Sequence, residues 1–85
     1  MLLKEIFGQR VQNVRKLRHE TQKELGEAIG TKANNVSEIE SGKRTTTSEK
    51  IVKICKHYNV SADYLLGLSD DPRGGRERWT EEEQE

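Results

Sequence analysis

The sequence predicts an all-α fold of five short helices, and three observations support this prediction. Apolar residues recur every three or four positions through most of residues 1–68. Candidate capping residues and glycines divide this repeat into segments of helix length. Strand signals are absent, because the chain has neither an alternating apolar run nor an Asn-Gly hairpin turn. A chain of 85 residues has room for one domain.

The first predicted helix covers about residues 3–18. Its apolar residues recur at helical spacing on one face, which we expect to point toward the core. These residues are Leu3, Phe7, Val11, Val14 and Leu17.

The stretch 21–43 predicts two short amphipathic helices joined by a tight turn. Thr21 and Glu24 have the spacing of a capping box, in which each residue satisfies a backbone N–H of the other. Gly30 then stands where a glycine can adopt the left-handed conformation that ends a helix. The apolar residues of this helix are Leu25, Ala28 and Ile29.

The second of these helices covers about residues 32–41. Val36 and Ile39 point inward from it, and Gly42 marks its end. Asn34, Asn35, Ser37 and Glu38 lie on the other sides of this helix. Two helices this short cannot lie antiparallel across so short a turn, so we expect a steep crossing, as in a helix-turn-helix.

Two further helices follow. The fourth begins near Thr46 or Thr47, and the fifth begins at Ser61, whose hydroxyl can cap it, and ends at Gly67. The residues expected to face inward from the fourth helix are Ile51, Val52, Ile54, Cys55 and Tyr58. Those expected to pack around the fifth are Val60, Tyr64, Leu65 and Leu66.

The net charge of the chain is zero, but the charges are unevenly distributed. Residues 1–68 hold 12 Lys and Arg and 8 Asp and Glu, a net charge of +4. Residues 69–85 hold 3 basic and 7 acidic residues, a net charge of −4. Pro72, Gly74 and Gly75 interrupt this segment, and Trp79 is its one large apolar residue. We interpret residues 1–68 as a modestly basic domain and residues 69–85 as an acidic, disordered tail.

The chain resembles the Cro/C1-type (XRE-like) helix-turn-helix repressors of phages and plasmids over about residues 7–67. The resemblance rests on five segments that occur in the family's order and spacing: TQKEL, AIG, VSEIESGKR, IVKICKHYNVS and ADYLLG. It implies a five-helix, lambda-repressor-like DNA-binding domain with the helix-turn-helix at the second and third helices. It also implies a regulator of phage, plasmid or mobile-element type that represses transcription as a dimer on a palindromic operator.

The resemblance places the N-terminal part of the third helix in the major groove, where base edges can be distinguished. Matched to the family pattern, the base-facing positions are Lys32, Ala33, Asn34, Ser37 and Glu38. A lysine can donate to guanine, an asparagine can pair with adenine, a glutamate can accept from cytosine, and an alanine methyl can contact thymine. The alternative is an ordinary solvated polar face.

Phosphate contacts are expected at the edges of the same motif, where a helix N-terminus and two adjacent cations lie. The candidates are Gln22, Asn35, Ser41, Lys43 and Arg44. Arg15 and Glu40 occupy positions that form an ion pair in similar repressors, and this pair would hold the first helix to the third and leave Arg15 near a phosphate.

Two positions depart from the family pattern. Gly26 stands where alanine is usual, which keeps the helix crossing close but costs about 1 kcal/mol in helix propensity. Lys32 stands where a Ser or Thr often caps the third helix. Thr31 is an alternative cap, and its use would shift the helix start by one residue.

We expect a homodimer, because a domain this small reads only a few base pairs. The candidate interface residues are Tyr64, Leu65 and Leu68, in an apolar segment near the end of the domain. The alternative is that these residues only close the core of the monomer.

Several functions are excluded by the sequence. The chain has no P-loop, no dinucleotide-binding glycine motif and no nucleophile elbow, so we expect neither an enzyme nor a cofactor. His19 and His57 lack metal-ligand spacing, which argues against a metal site. Cys55 is interpreted as a small buried hydrophobic residue, and a single cysteine is consistent with the cytoplasm. No segment approaches the ~20 apolar residues of a membrane span, and no signal peptide is evident.

Two other functions stay open from sequence. In the first, the chain is a protein-interaction module whose acidic tail, with Trp79, binds a partner such as a toxin or an anti-repressor, and DNA contact is secondary. In the second, the chain is a helical adaptor with a purely structural role. Double-stranded DNA is the partner that the helix-turn-helix favours.

Overall fold

A computed structural model describes residues 3–73 of the chain, and this part of the protein is all-helical, with five helices and no strand. This confirms the predicted fold class. The helices are α1 (Leu3–Leu17), α2 (Gln22–Ile29), α3 (Ala33–Glu40), α4 (Ser48–Tyr58) and α5 (Ala62–Leu65). None of these helices is long and apolar enough to cross a lipid bilayer.

Helix α2 begins and ends as the sequence predicts. The Glu24 N–H donates to Thr21 Oγ1 over 3.0 Å, and the Thr21 N–H donates to Glu24 Oε1 over 2.8 Å. Both halves of the capping box are therefore present. Gly30 ends the helix with φ of 81°, a left-handed conformation that glycine adopts without steric cost. Helix α3 then begins after Thr31 and Lys32.

Helix α3 begins without a side-chain cap. Lys32 has the extended conformation of an N-cap residue, but its side chain makes no capping hydrogen bond. The alternative cap at Thr31 is wrong, because Lys32 occupies the N-cap position, and the Thr31 hydroxyl accepts a hydrogen bond from Asn35 Nδ2 over 2.8 Å. The helix start is therefore not shifted, and Ala33 is the first helical residue.

The caps of the last two helices also follow the sequence. Thr47 Oγ1 accepts from the Lys50 N–H at the start of α4, and Ser61 Oγ accepts from the Tyr64 N–H at the start of α5. Asn59 ends α4 in the left-handed conformation, with φ of 55°. A side chain that tolerates this conformation allows the chain to turn sharply into α5.

One hydrophobic core is formed by residues from all five helices. Its buried members are Phe7, Val11, Val14, Leu25, Ile29, Val36, Ile39, Ile54, Tyr58 and Leu65. Several residues expected to face inward do not: Leu3, Leu17 and Val52 are 56%, 74% and 50% exposed, and Ala28 is exposed as well. Leu3 and Leu17 lie at the ends of α1, and Val52 is rotated by about 100° from its neighbour Ile51. Cys55 is half-buried, not buried.

Two helical glycines allow backbones to approach closely. A Cβ atom on Gly8 would lie 2.9 Å from the carbonyl oxygen of Glu40 and closer still to that of Ile39. A Cβ atom on Gly26 would lie 2.7 Å from the carbonyl oxygen of Thr31. Gly8 therefore lets α1 pack on the end of α3, and Gly26 keeps α2 close to the turn.

Polar contacts with the domain extend beyond the predicted boundary at residue 68. Arg10 Nη1 donates to the carbonyl oxygen of Ser69, and Arg10 Nη2 lies 3.0 Å from Asp70 Oδ1. The Ser61 N–H donates to the carbonyl oxygen of Pro72 over 2.8 Å. Residues 69, 70 and 72, which the predicted boundary assigns to the tail, therefore make polar contacts with the domain, although residues 70–73 are exposed. Gly74, Gly75 and Trp79, on which part of that prediction rests, lie outside the described residues.

Candidate nucleic-acid interface

Helix α3 has one face fixed in the core and another open to solvent. Val36 and Ile39 are only 1% and 3% exposed, so they anchor the helix. Asn34 and Ser37 are exposed on the outer face, Lys32 is exposed at the N-cap, and Ala33 and Glu38 are half-buried. None of the five predicted base-facing residues is therefore buried.

The outer face of α3 presents groups that match base edges. The side chains of Lys32, Asn34 and Ser37 supply an ammonium group, a carboxamide and a hydroxyl. Each can form hydrogen bonds in a major groove that is about 12 Å wide and admits a helix. Because none of these three side chains makes an internal hydrogen bond in the described structure, they are available to a ligand.

A buried ion pair joins α1 to α3. Arg15 Nε lies 2.6 Å from Glu40 Oε2, and Arg15 Nη2 lies 3.0 Å from Glu40 Oε1. These hydrogen bonds raise the pKa of the guanidinium, although burial opposes the shift. The third nitrogen, Nη1, donates to the Glu20 carbonyl oxygen over 2.7 Å.

The ion pair gives Arg15 a structural role. Arg15 is 8% exposed, and each of its guanidinium nitrogens has a partner inside the protein. Arg15 therefore has a structural role, and its predicted phosphate contact stays a prediction. Gln22, another predicted phosphate contact, is half-buried, and its Nε2 donates to Glu40 Oε1 over 3.1 Å.

The chain folds back onto α3 as soon as the helix ends. The Lys43 N–H donates to the Glu38 carbonyl oxygen over 2.9 Å, and the Ser41 hydroxyl donates to the same oxygen over 3.1 Å. Both cations that follow α3, Lys43 and Arg44, are exposed. Arg44 turns back along the helix, where its Nε lies 3.0 Å from Glu38 Oε1. Its Nη1 donates to Asn35 Oδ1 over 3.2 Å.

A polar cleft of 390 Å³ lies between α3 and the start of α4. Its lining residues are Thr31, Asn35, Ile39, Arg44, Thr45, Thr46, Thr47 and Lys50. Two cations and four hydroxyl groups therefore surround one concave surface, which is suited to an anion. Sequence reasoning missed Lys50 and the threonines, although three consecutive threonines between a basic pair and a helix are visible in the sequence.

The predicted dimer residues differ in exposure. Leu65 is fully buried, at 0% exposed, so it belongs to the core of the monomer and cannot contact a second copy. Leu68 is 75% exposed and Tyr64 is half-buried. The Arg10 guanidinium lies 4.5 Å from the centre of the Tyr64 ring. Of the three candidates, Leu68 offers the most apolar surface.

A second polar cluster, which the sequence did not predict, joins the loop after α1 to the end of α4. Tyr58 donates its hydroxyl proton to Glu20 Oε1 over 2.9 Å, and His57 Nε2 lies 2.9 Å from Glu20 Oε2. Burial and the hydrogen bond to Glu20 raise the pKa of Tyr58. Within residues 3–73, no group of His, Cys, Asp and Glu could hold a metal ion.

Comparison with known proteins gives the family. The helix-turn-helix family model matches residues 11–65. The chain is 34% identical over 67 residues to YobD, an uncharacterised HTH-type transcriptional regulator of Bacillus subtilis, covering 79% of this chain and 60% of that protein. It is 38% identical over 64 residues to the regulator ImmR of the same organism, covering 75% of this chain and 50% of ImmR. The chain therefore spans about half of each relative's length or slightly more.

Solved structures give the same fold. The P22 c2 repressor, solved in complex with a synthetic operator, is 27% identical with a TM-score of 0.70, covering 74% of this chain and 96% of that one. The clp gene regulator ClgR from Corynebacterium glutamicum is 29% identical with a TM-score of 0.73, covering 78% of this chain and 70% of that one. The chain therefore belongs to the XRE-type helix-turn-helix family of transcriptional regulators, which are not enzymes, and has their lambda-repressor-like fold.

Proposed function

We propose that this chain is a sequence-specific repressor that reads operator DNA in the major groove with the outer face of α3. One observation carries the proposal. Asn34 and Ser37 are exposed side by side on a helix whose opposite face is held in the core by Val36 and Ile39, and Lys32 is exposed at its N-cap. Because the helix is anchored, its donors and acceptors meet base edges in a defined register.

Each residue of this face has a chemical role in the proposal. Lys32 donates to guanine O6 and N7, and Asn34 pairs in a bidentate way with adenine. The methyl group of Ala33 contacts a thymine methyl, and Ser37 hydrogen-bonds to the base that it faces. Glu38 lies on the same face together with its ion-pair partner Arg44.

Phosphate contacts complete the proposed interface. Lys43 and Arg44 follow α3 directly and are exposed, so both can neutralise backbone charge. Gln22, Asn35 and Ser41 flank the same surface, although their side chains also make hydrogen bonds within the protein. The net charge of +4 over residues 1–68 supports association with DNA.

The proposed complex is a dimer on a palindromic operator. Two-fold symmetry places two reading helices about 34–36 Å apart, one turn of DNA, and doubles the number of bases read. Exposed Leu68, with half-buried Tyr64, provides the candidate contact between the two copies. The P22 c2 repressor was solved on a synthetic operator, and its similarity to this chain supports operator binding of phage-repressor type.

Selection of bound sequences from a random-sequence duplex library, with the full 85-residue chain, tests the proposal. We expect a palindromic consensus. Asn34→Ala should cost about 1–3 kcal/mol in affinity and relax preference at one position of each half-site. Lys43→Ala should weaken binding to all sequences alike and reduce the salt slope by about one unit.

Lys56→Ala provides the matched control. It also removes one exposed lysine, but Lys56 lies near the end of α4 and lines a separate cleft with Val60 and Arg73. We expect this variant to keep the wild-type consensus. A wild-type chain that enriches no sequence would refute sequence-specific binding. An unchanged consensus for Asn34→Ala would remove α3 from the reading role.

A further inference from the structure

Four polar side chains form a chain of contacts beside the outer face of α3. Asn35 Nδ2 donates to Thr31 Oγ1 over 2.8 Å, and Asn35 Oδ1 accepts from Arg44 Nη1 over 3.2 Å. Arg44 Nε lies 3.0 Å from Glu38 Oε1. One guanidinium is therefore held at two of its nitrogens by side chains from α3, three residues apart. Within the described structure its third nitrogen, Nη2, makes no hydrogen bond.

The charges explain why this arrangement matters on a surface that meets DNA. The Glu38 carboxylate lies on the face proposed to face the groove, where phosphates would repel an unpaired negative charge. Arg44 neutralises this carboxylate. The side chains of Arg44 and Glu38 are 51% and 43% exposed, so their ion pair contributes little to folding stability. Its effect is instead to fix the direction of a flexible cation.

The Arg44 side chain is directed toward the polar cleft between α3 and the start of α4. Arg44 lines this cleft together with Lys50 and three threonines of the loop between α3 and α4, which are Thr45, Thr46 and Thr47. Its Nη1 and Nη2 atoms form a two-pronged edge. Glu38 binds Nε, and Asn35 uses one of the two Nη1 hydrogens, so the second Nη1 hydrogen and the Nη2 hydrogens remain for a ligand. A guanidinium edge of this kind binds a phosphate with two parallel hydrogen bonds.

We propose that Glu38 is a positioning residue for Arg44, and that it acts on a DNA phosphate through Arg44 instead of reading cytosine itself. Asn35 has the same role on the other side of the guanidinium. This proposal rests on the proposed function, and it changes the part that Glu38 plays in it. Holding Arg44 before DNA arrives removes the entropic cost of ordering a long side chain at the moment of binding.

A double-mutant cycle with the full-length chain tests the proposal. The variants are Glu38→Gln, Arg44→Ala and the double variant, measured on a duplex selected by the wild type and on a shuffled duplex of equal composition. In the wild-type background, Glu38→Gln should weaken binding to both duplexes by roughly three- to tenfold. In the Arg44→Ala background, Glu38→Gln should leave binding unchanged or strengthen it. The carboxylate of Glu38 has no ion-pair partner in that background and repels the phosphates, and the substitution removes it.

The salt dependence provides a readout that a purely structural role would not change. Arg44→Ala should reduce the salt slope by about one unit, Glu38→Gln should reduce it as well, and the double variant should show no further reduction. Asn35→Ala should resemble Glu38→Gln in direction. Glu27→Gln, which neutralises an exposed carboxylate on α2, is the matched control and should preserve the slope. Melting temperatures of all variants should remain close to that of the wild type.

The outcomes separate this proposal from the proposed function. One outcome is that the wild type prefers the selected duplex while the fold-changes in affinity of Glu38→Gln and Arg44→Ala multiply in the double variant. That result refutes the positioning role and leaves the proposed reading of bases by α3 intact. A change of base preference at a single position in Glu38→Gln would show that Glu38 reads a base directly. If the selection with the wild type enriches no duplex, both the proposed function and the positioning role are refuted.

Discussion

Gly8 in α1 lies against the backbone of Glu40 at the end of α3, where a Cβ atom on Gly8 would stand 2.9 Å from the Glu40 carbonyl oxygen. The side chain of Glu40 is bound at the same junction by Arg15, also from α1, over 2.6 Å. Helix α1 therefore holds α3 in two ways, by direct backbone contact and by a buried ion pair. The orientation of α3 depends on both.

Gly8→Ala should destabilise the protein. Alanine is favoured over glycine inside a helix by about 1 kcal/mol, but the new methyl group meets backbone oxygens that cannot move aside easily. We expect a net loss of about 1–3 kcal/mol in the free energy of unfolding, measured by urea denaturation. Gln9→Ala, at the exposed neighbouring position of α1, is the control and should change stability by less than about 0.5 kcal/mol. A more stable Gly8→Ala variant would contradict the close approach.

Glu40→Ala should be among the most damaging substitutions in the domain. It leaves the buried Arg15 guanidinium without its carboxylate and removes the partner of Gln22 Nε2. Breaking a buried pair in this way costs about 3–5 kcal/mol. Thermal unfolding followed by circular dichroism should show the loss. A melting temperature near that of the wild type would show that solvent already screens the pair.

Acidification should destabilise the protein through Glu20. Burial opposes ionisation of this carboxyl, but hydrogen bonds from His57 and Tyr58 outweigh burial and lower its pKa below the ordinary value of 4.5. The stabilisation is therefore fully present above the unfolded pKa and is lost as the pH falls through the lower native pKa. Urea midpoints at about pH 6 and about pH 3 should differ less in Glu20→Gln than in the wild type.

Glu27→Gln is the control for the acid experiment, because Glu27 is an exposed carboxylate outside this cluster. It should retain the wild-type loss of stability on acidification. Equal acid sensitivity in Glu20→Gln and the wild type would show that other carboxylates dominate.

Leu65 and Leu68 should respond in opposite ways to truncation to alanine. Leu65 is 0% exposed, so Leu65→Ala should cost about 2–5 kcal/mol in stability. Leu68 is 75% exposed, so Leu68→Ala should change monomer stability by less than about 0.5 kcal/mol. If Leu68 contributes to the proposed dimer, sedimentation equilibrium should show weaker self-association in Leu68→Ala. An unchanged dimerisation constant would place the interface elsewhere.

Two truncations should separate the packed segment from the residues that follow it. Ending the chain after Leu68 removes the contacts of Ser69 and Asp70 with Arg10 and of Pro72 with Ser61. We expect a loss of about 1–2 kcal/mol in stability, because a net hydrogen bond contributes about 0.5–1.5 kcal/mol.

Ending the chain after Arg73 keeps those contacts and removes two arginines and five glutamates, a net charge of −3. We expect the melting temperature to stay nearly unchanged and binding to random DNA at low salt to become tighter, because an acidic segment competes with phosphate. A large loss of thermal stability would show that residues 74–85 contribute to the fold, and Trp79 would then be the first residue to substitute.

The sequence by itself determined the helices and their ends. The capping box of Thr21 and Glu24, the left-handed Gly30 and the cap of α5 at Ser61 all depend on groups within four residues of one another. Such local geometry is visible in a linear sequence. The exposure of Asn34, two positions from the buried Val36, also follows from helical periodicity, so the surface side of α3 could be predicted.

Only the tertiary structure decided which side chains are covered and which polar groups are paired. Leu65 is buried and Leu68 is exposed, although both are apolar and three residues apart. Arg10 binds Asp70 across 60 residues of chain, and the Glu20 cluster draws its partners from α4. These contacts depend on how distant helices meet, and the spacing of neighbouring residues carries no information about that geometry.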